Sequence, residues 1–83
     1  MLLKVEVGGE GLGPNEVFLE VETLSGFEEV LVDVYLVKNG EIDVGYPILQ
    51  EGAATLVELP RETTSGKWRV WVNSRNLRWQ DEV

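Results

Sequence analysis

Residues Gly66 to Asn73 read Gly-Lys-Trp-Arg-Val-Trp-Val-Asn. Successive side chains of a β-strand take opposite faces. Trp68, Val70 and Val72 therefore share one face, and Lys67, Arg69, Trp71 and Asn73 share the other. The first set reads as core. The second is polar apart from Trp71, a large apolar ring with no obvious place inside, which marks a candidate contact surface.

The same alternation runs through most of the chain. Leu3, Val5 and Val7 alternate with Lys4 and Glu6, which predicts a strand over 2–7. Four glycines and a proline within Gly8–Asn15 predict a loop. Glu16 to Leu24 reads as a strand with Val17, Leu19, Val21 and Thr23 inward. After a turn at 25–27, Val30 to Val37 is rich in β-branched residues, with Val30, Val32, Val34 and Leu36 on one side. Lys38-Asn39-Gly40-Glu41 carries the signal of a type I′ hairpin, because Asn-Gly supplies two positions of positive φ. A returning strand over 41–46 puts Ile42, Val44 and Tyr46 together, and Pro47 ends its pairing. Ile48 to Ala53 reads as a crossing segment. Ala54 to Leu59 turns Thr55, Val57 and Leu59 inward. Pro60 to Ser65 is a polar corner, and a last strand over 76–83 turns Leu77 and Trp79 inward. No run of ten residues has a helical period.

Composition narrows the chemistry. Eighty-three residues make one small domain over 1–83. The chain has no Cys and no His, so it lacks a disulfide, a thiolate site and the commonest general base and metal ligand. No cofactor is expected. The first residues have no basic segment ahead of an apolar run, and no stretch approaches the roughly 20 apolar residues that span a bilayer. A cytoplasmic or virion location follows as an expectation. The net charge is −8, with −10 in residues 1–60 and +2 in 61–83. An acidic chain of this kind disfavours direct binding to a phosphate backbone.

Ala54-Thr55-Leu56-Val57-Glu58-Leu59-Pro60, followed by Thr64-Ser65-Gly66-Lys67-Trp68-Arg69-Val70-Trp71-Val72, resembles the E–F corner of immunoglobulin-like and fibronectin-type-III-like sandwiches. There a strand ends in Leu-Pro, a polar corner follows, and Gly-x-aromatic opens the next strand. Trp68 stands where those folds place a Tyr, and the inter-sheet Cys pair is missing. The resemblance implies a seven-stranded antiparallel sandwich. A small barrel of the OB or SH3-like kind is the alternative. Neither architecture names a function.

The candidate sites follow from this frame. Gly9-x-Gly11-x-Gly13 lacks the following helix that a phosphate cradle needs, so it reads as a loop. Glu28, Glu29, Asp33, Glu41 and Asp43 form a solvated acidic face, with a weak cation site as the sharper reading. A glycosidase pair among them would have no water-excluding cleft. In an immunoglobulin-like sandwich the Gly66–Asn73 strand pairs with Val30–Val37. Trp71 would then share an outer face with Leu31, Tyr35 and Val37, rimmed by Arg69, Lys67 and Asp33, unless the loop over 48–52 folds across it. An apolar centre with a charged rim is the anatomy of a protein contact.

The expected function is a non-enzymatic protein-interaction module. It would be an accessory or structural subunit of a larger assembly, such as a virion decoration or assembly protein, or a homo-oligomer. The alternatives are a carbohydrate-binding module using outward aromatics and an acidic inhibitor of a nucleic-acid-binding enzyme.

Overall fold

A computed structural model describes residues 1–11 and 13–80. It is all-β. Among the described residues there are nine strands: β1 (Leu2–Lys4), β2 (Glu6–Glu10), β3 (Glu16–Thr23), β4 (Gly26–Asp33), β5 (Glu41–Asp43), β6 (Leu49–Glu51), β7 (Ala54–Glu58), β8 (Arg69–Asn73) and β9 (Leu77–Arg78). Short 3₁₀ turns follow β4 at Val34–Leu36 and β8 at Ser74–Asn76. Three antiparallel sheets form, ordered β5–β1–β9, β2–β3–β4 and β6–β7–β8. They do not close into a barrel, so the barrel alternative is set aside.

The three sheets share one core. Leu3, Val5, Ile42 and Val44 come from the first, Leu19, Val21, Val30 and Val32 from the second, and Val57, Leu59, Val70 and Val72 from the third. Each of these lies on the face that alternation assigns to it. Backbone hydrogen bonds join the second and third sheets: Leu24 N–H donates to the Trp71 carbonyl, and Thr64 N–H to that of Glu29. Val5 N–H donates to the Gly40 carbonyl, which continues the β1–β5 register by one pair. The Asn39-Gly40 turn forms as the sequence predicts, with φ of 54° and 73° and Lys38 bridged to Glu41.

Several expectations are corrected. The strand predicted over 2–7 breaks at Val5, where the backbone crosses from one sheet to another. Gly8 and Gly9 belong to β2, which continues to Glu10 through a bulge. The strand predicted over 30–37 ends at Asp33, because its carboxylate accepts the Tyr35 N–H and turns the chain into a 3₁₀ bend. Val34 and Leu36 are consequently exposed. Residues 81–83 of the predicted last strand lie outside the described residues, and β9 itself is two residues long.

Trp68 is the largest correction. It has the inward parity of Val70 and Val72, yet it is 50% exposed. The β7–β8 ladder ends at Glu58↔Arg69, and Leu59, whose N–H donates to the Trp68 carbonyl, already fills the core at that level. Trp79, also expected inside, is 57% exposed, and Tyr46, which shares the parity of Ile42 and Val44, is 83% exposed. Each follows the end of a short strand, β5 or β9, where parity no longer binds the side chain to a face.

Gly11 is the tightest glycine. A Cβ there would lie 2.6 Å from Glu16 Cβ, 2.7 Å from Leu31 Cδ1 and 2.8 Å from the Glu16 carbonyl carbon. Gly9 has nothing within 4 Å of the same position. Gly11→Ala is therefore expected to destabilise by about 1–3 kcal/mol, as overpacked sites do, and Gly9→Ala by much less. Urea denaturation of the two variants checks the contrast.

Candidate functional site

The outer face of the β6–β7–β8 sheet carries the feature that Trp71 signalled. Residues directly opposite in an antiparallel pair point to the same side. Leu49 opposes Leu56, and Leu56 opposes Trp71. The three form one apolar row across the sheet, on the side away from Val57, Val70 and Val72. Trp71 and Leu56 are half-buried, and Leu49 is exposed. Ala54 and Asn73 flank the row on one side, and the Arg69–Glu58 ion pair, at 3.5 Å, flanks it on the other. The row ends at β6, which pairs with β7 and has no second neighbour among the described residues.

The predicted partners of Trp71 are elsewhere. β8 pairs with β7, and β4 pairs with β3, so the expected β8–β4 ladder does not form. Leu31 lies on the outer face of the second sheet, opposite Phe18. Asp33 caps the turn that carries Tyr35, which is 73% exposed. Val37 packs against the core. Lys67 is held by Glu28 at 3.3 Å, and Arg69 by Glu58. Of the predicted patch, Trp71 and Arg69 share β8, and Leu31 and Asp33 share β4 in a different sheet. The segment expected to cross the face instead joins the sheet as β6 and supplies Leu49 to the row. The signal for this was the apolar pair Ile48-Leu49 ahead of Gly52, which has φ of 56° and turns the chain into β7.

The predicted acidic cluster also divides. Glu28 has the inward parity of β4 and anchors the corner after β7. Its carboxylate accepts from the Ser65 hydroxyl and pairs with Lys67, while Val30 bridges Thr63. The Ser65 hydroxyl, the Thr63 hydroxyl and the Lys67 ammonium hold the Glu28 carboxyl below its ordinary value. Glu41 is gripped by Arg78 through contacts of 2.8 and 2.7 Å, and that guanidinium likewise lowers its pKa. Among the described residues no three acidic side chains are grouped to hold a metal ion.

Four further carboxylates gather on the outer face of β2–β3–β4. Glu6 opposes Glu20, and Glu20 opposes Glu29, placing three carboxylates in a single row. Glu22 lies beside them, opposite Phe27. At the far end of the molecule Tyr46 and Trp79 form a ring pair, with centroids 6.0 Å apart and planes tilted by 57°. Sequence reasoning missed this pair because it turned Trp79 inward and grouped Tyr46 with Ile42 and Val44.

The sequence matches no family model, and no curated protein or solved structure shows significant similarity to it.

The lowered carboxyls set a pH dependence. A folded-state pKa below the unfolded one contributes stability above about 4.5, the ordinary value for Glu. That contribution is lost as pH falls through the lowered values. Replacing Glu28 and Glu41 together by Gln is expected to reduce stability at neutral pH and to flatten the acid-side decline. Urea midpoints measured across that range for both proteins check this.

Proposed function

We propose that this chain is a non-enzymatic protein-interaction module that works by contact, as an accessory or structural subunit, and that self-association is its first mode. The observation that carries the reading is the Leu49–Leu56–Trp71 row ending at the unpaired edge of β6. An edge strand offers free backbone donors and acceptors to a further strand, and native proteins usually blunt such edges with charge, proline or a cover. Here the edge carries an exposed Leu49, backed by half-buried Leu56 and then Trp71 across the sheet. Two copies meeting at β6 would extend the sheet and continue the apolar row across the junction. Trp71 would supply anchoring area, and Arg69, with its fork beside Glu58, would supply the rim.

Light scattering tests this directly. The wild-type mass is expected to rise above the 9.3 kDa monomer with concentration. Leu49→Arg, an exposed change that sets like charges against each other across the junction, should hold the protein at the monomer mass. Trp71→Ala should act in the same direction. A wild-type mass that stays at the monomer value throughout removes self-association through this face.

A second reading has its own support in the Tyr46–Trp79 pair. Two exposed, mutually tilted rings beside Asp43 and Gln80 border a hollow of about 220 Å³. Rings of this kind offer stacking faces to sugars, with polar neighbours for the hydroxyls. A glycan array should then show binding that Trp79→Ala abolishes and Leu49→Arg leaves unchanged. No wild-type signal on the array removes this reading.

A further inference from the structure

We propose that the groove beside the end of β3 binds an extended, lysine- or arginine-bearing segment of a partner protein, which sets an apolar side chain on Phe27. The groove is a consequence of the fold. β2 pairs with β3 only as far as Glu6↔Glu20, because at Val5 the chain leaves for the first sheet. β8 meets β3 again at Leu24, through its N–H to the Trp71 carbonyl. Between these two points β3 has no ladder partner on that side among the described residues. A groove of about 490 Å³ opens there, between the bent β1–β2 segment and Asn76.

Its lining specifies the occupant. Phe27 is 66% exposed, and Val7, also exposed, lines the groove on the β2 side. Glu6, Glu20 and Glu22 line the same groove, and Glu29 extends the row. None of these four carboxylates forms an ion pair among the described residues, whereas Glu16, Glu28, Glu41 and Glu58 each have a basic partner. Like charges directly opposite on a sheet repel. Lys4 also lines the groove, yet no ion pair among the described residues ties it to these carboxylates, so the acidic row stands without a paired cation beside an exposed ring. A segment carrying basic and apolar side chains answers both features: its cations lie between the carboxylates and an apolar side chain covers Phe27. The groove is distinct from the Leu49–Leu56–Trp71 face, and either can fail without the other.

The test uses a fluorescent eight-residue peptide of alternating lysine and valine, with octalysine as the comparison, read by anisotropy at neutral pH. The alternating peptide is expected to bind the wild type and to weaken as salt rises, since the screening length falls from about 10 Å at 0.1 M to about 3 Å at 1 M. Glu20→Lys with Glu22→Lys should weaken binding tenfold or more. Phe27→Ser, which leaves the charge unchanged, should weaken it several-fold. Glu51→Lys with Glu62→Lys reverses two exposed charges elsewhere and should change it twofold at most. Leu49→Arg should leave it near the wild-type value. All of these positions are exposed strand or loop sites, and circular dichroism verifies that each variant is folded. Three results overturn the proposal: no binding by the wild type, equal weakening by the two double reversals, or octalysine binding as tightly as the alternating peptide. An unchanged affinity in Phe27→Ser overturns it as well.

Discussion

The structure depends on three small sheets burying their apolar faces in one place. The ladder of β1 with β9 has two residue pairs, and that with β5 has three. Ladders this short are marginal by themselves. What holds them is the common core of Leu3, Leu19, Val30, Ile42, Val57 and Val72, with side chains drawn from all three sheets. The backbone joints at Leu24–Trp71 and Thr64–Glu29 set the second and third sheets against each other around it, and the chain itself carries the first sheet into the second at Val5. The crossing at Val5 has a second effect. By taking the chain out of the β2–β3 ladder it leaves part of β3 uncovered, so the same constraint that completes the core also opens the groove.

The distribution of charge follows from the same packing. Four of the seven bases are engaged by carboxylates at the joints and rims: Arg61 by Glu16, Lys67 by Glu28, Arg69 by Glu58 and Arg78 by Glu41. Exposed pairs of this kind contribute little stability each. Their larger effect is on what remains. With the cations drawn to the β7–β8 hairpin and the first sheet, the outer face of β2–β3–β4 is left acidic. Glu6, Glu20, Glu22 and Glu29 thus stand together on one surface with no ion-pair partner among the described residues.

Most of the inward set was legible from alternation. Leu19, Val21, Val30, Val32, Val57, Val70 and Val72 are all buried, and the Asn39-Gly40 turn has the predicted backbone. Errors cluster where strands stop. Asp33 and Asn73 end β4 and β8 in the same manner, each side chain accepting the N–H two residues on. Both are poor strand residues with a hydrogen-bonding alternative, so the stops could have been read from the sequence. Trp68 and Trp79 lie just outside the ends of β8 and β9, and extending the period through them placed exposed rings in the core. The candidate patch failed for another reason. It needed β8 beside β4, a pairing inferred from a resemblance and not from any local feature.

Side-chain parity is a property of the pleated backbone, so it is carried by a few consecutive residues and can be read from them alone. That determined which face of each strand is apolar, where the tight hairpin forms and that Trp71 points away from Val70 and Val72. Which strands become neighbours is decided by closure over tens of residues, where many registers bury similar apolar area. Only the tertiary structure therefore settled that Trp71 meets Leu56 and Leu49, that Glu6, Glu20 and Glu29 line up, and that the core ends before Trp68.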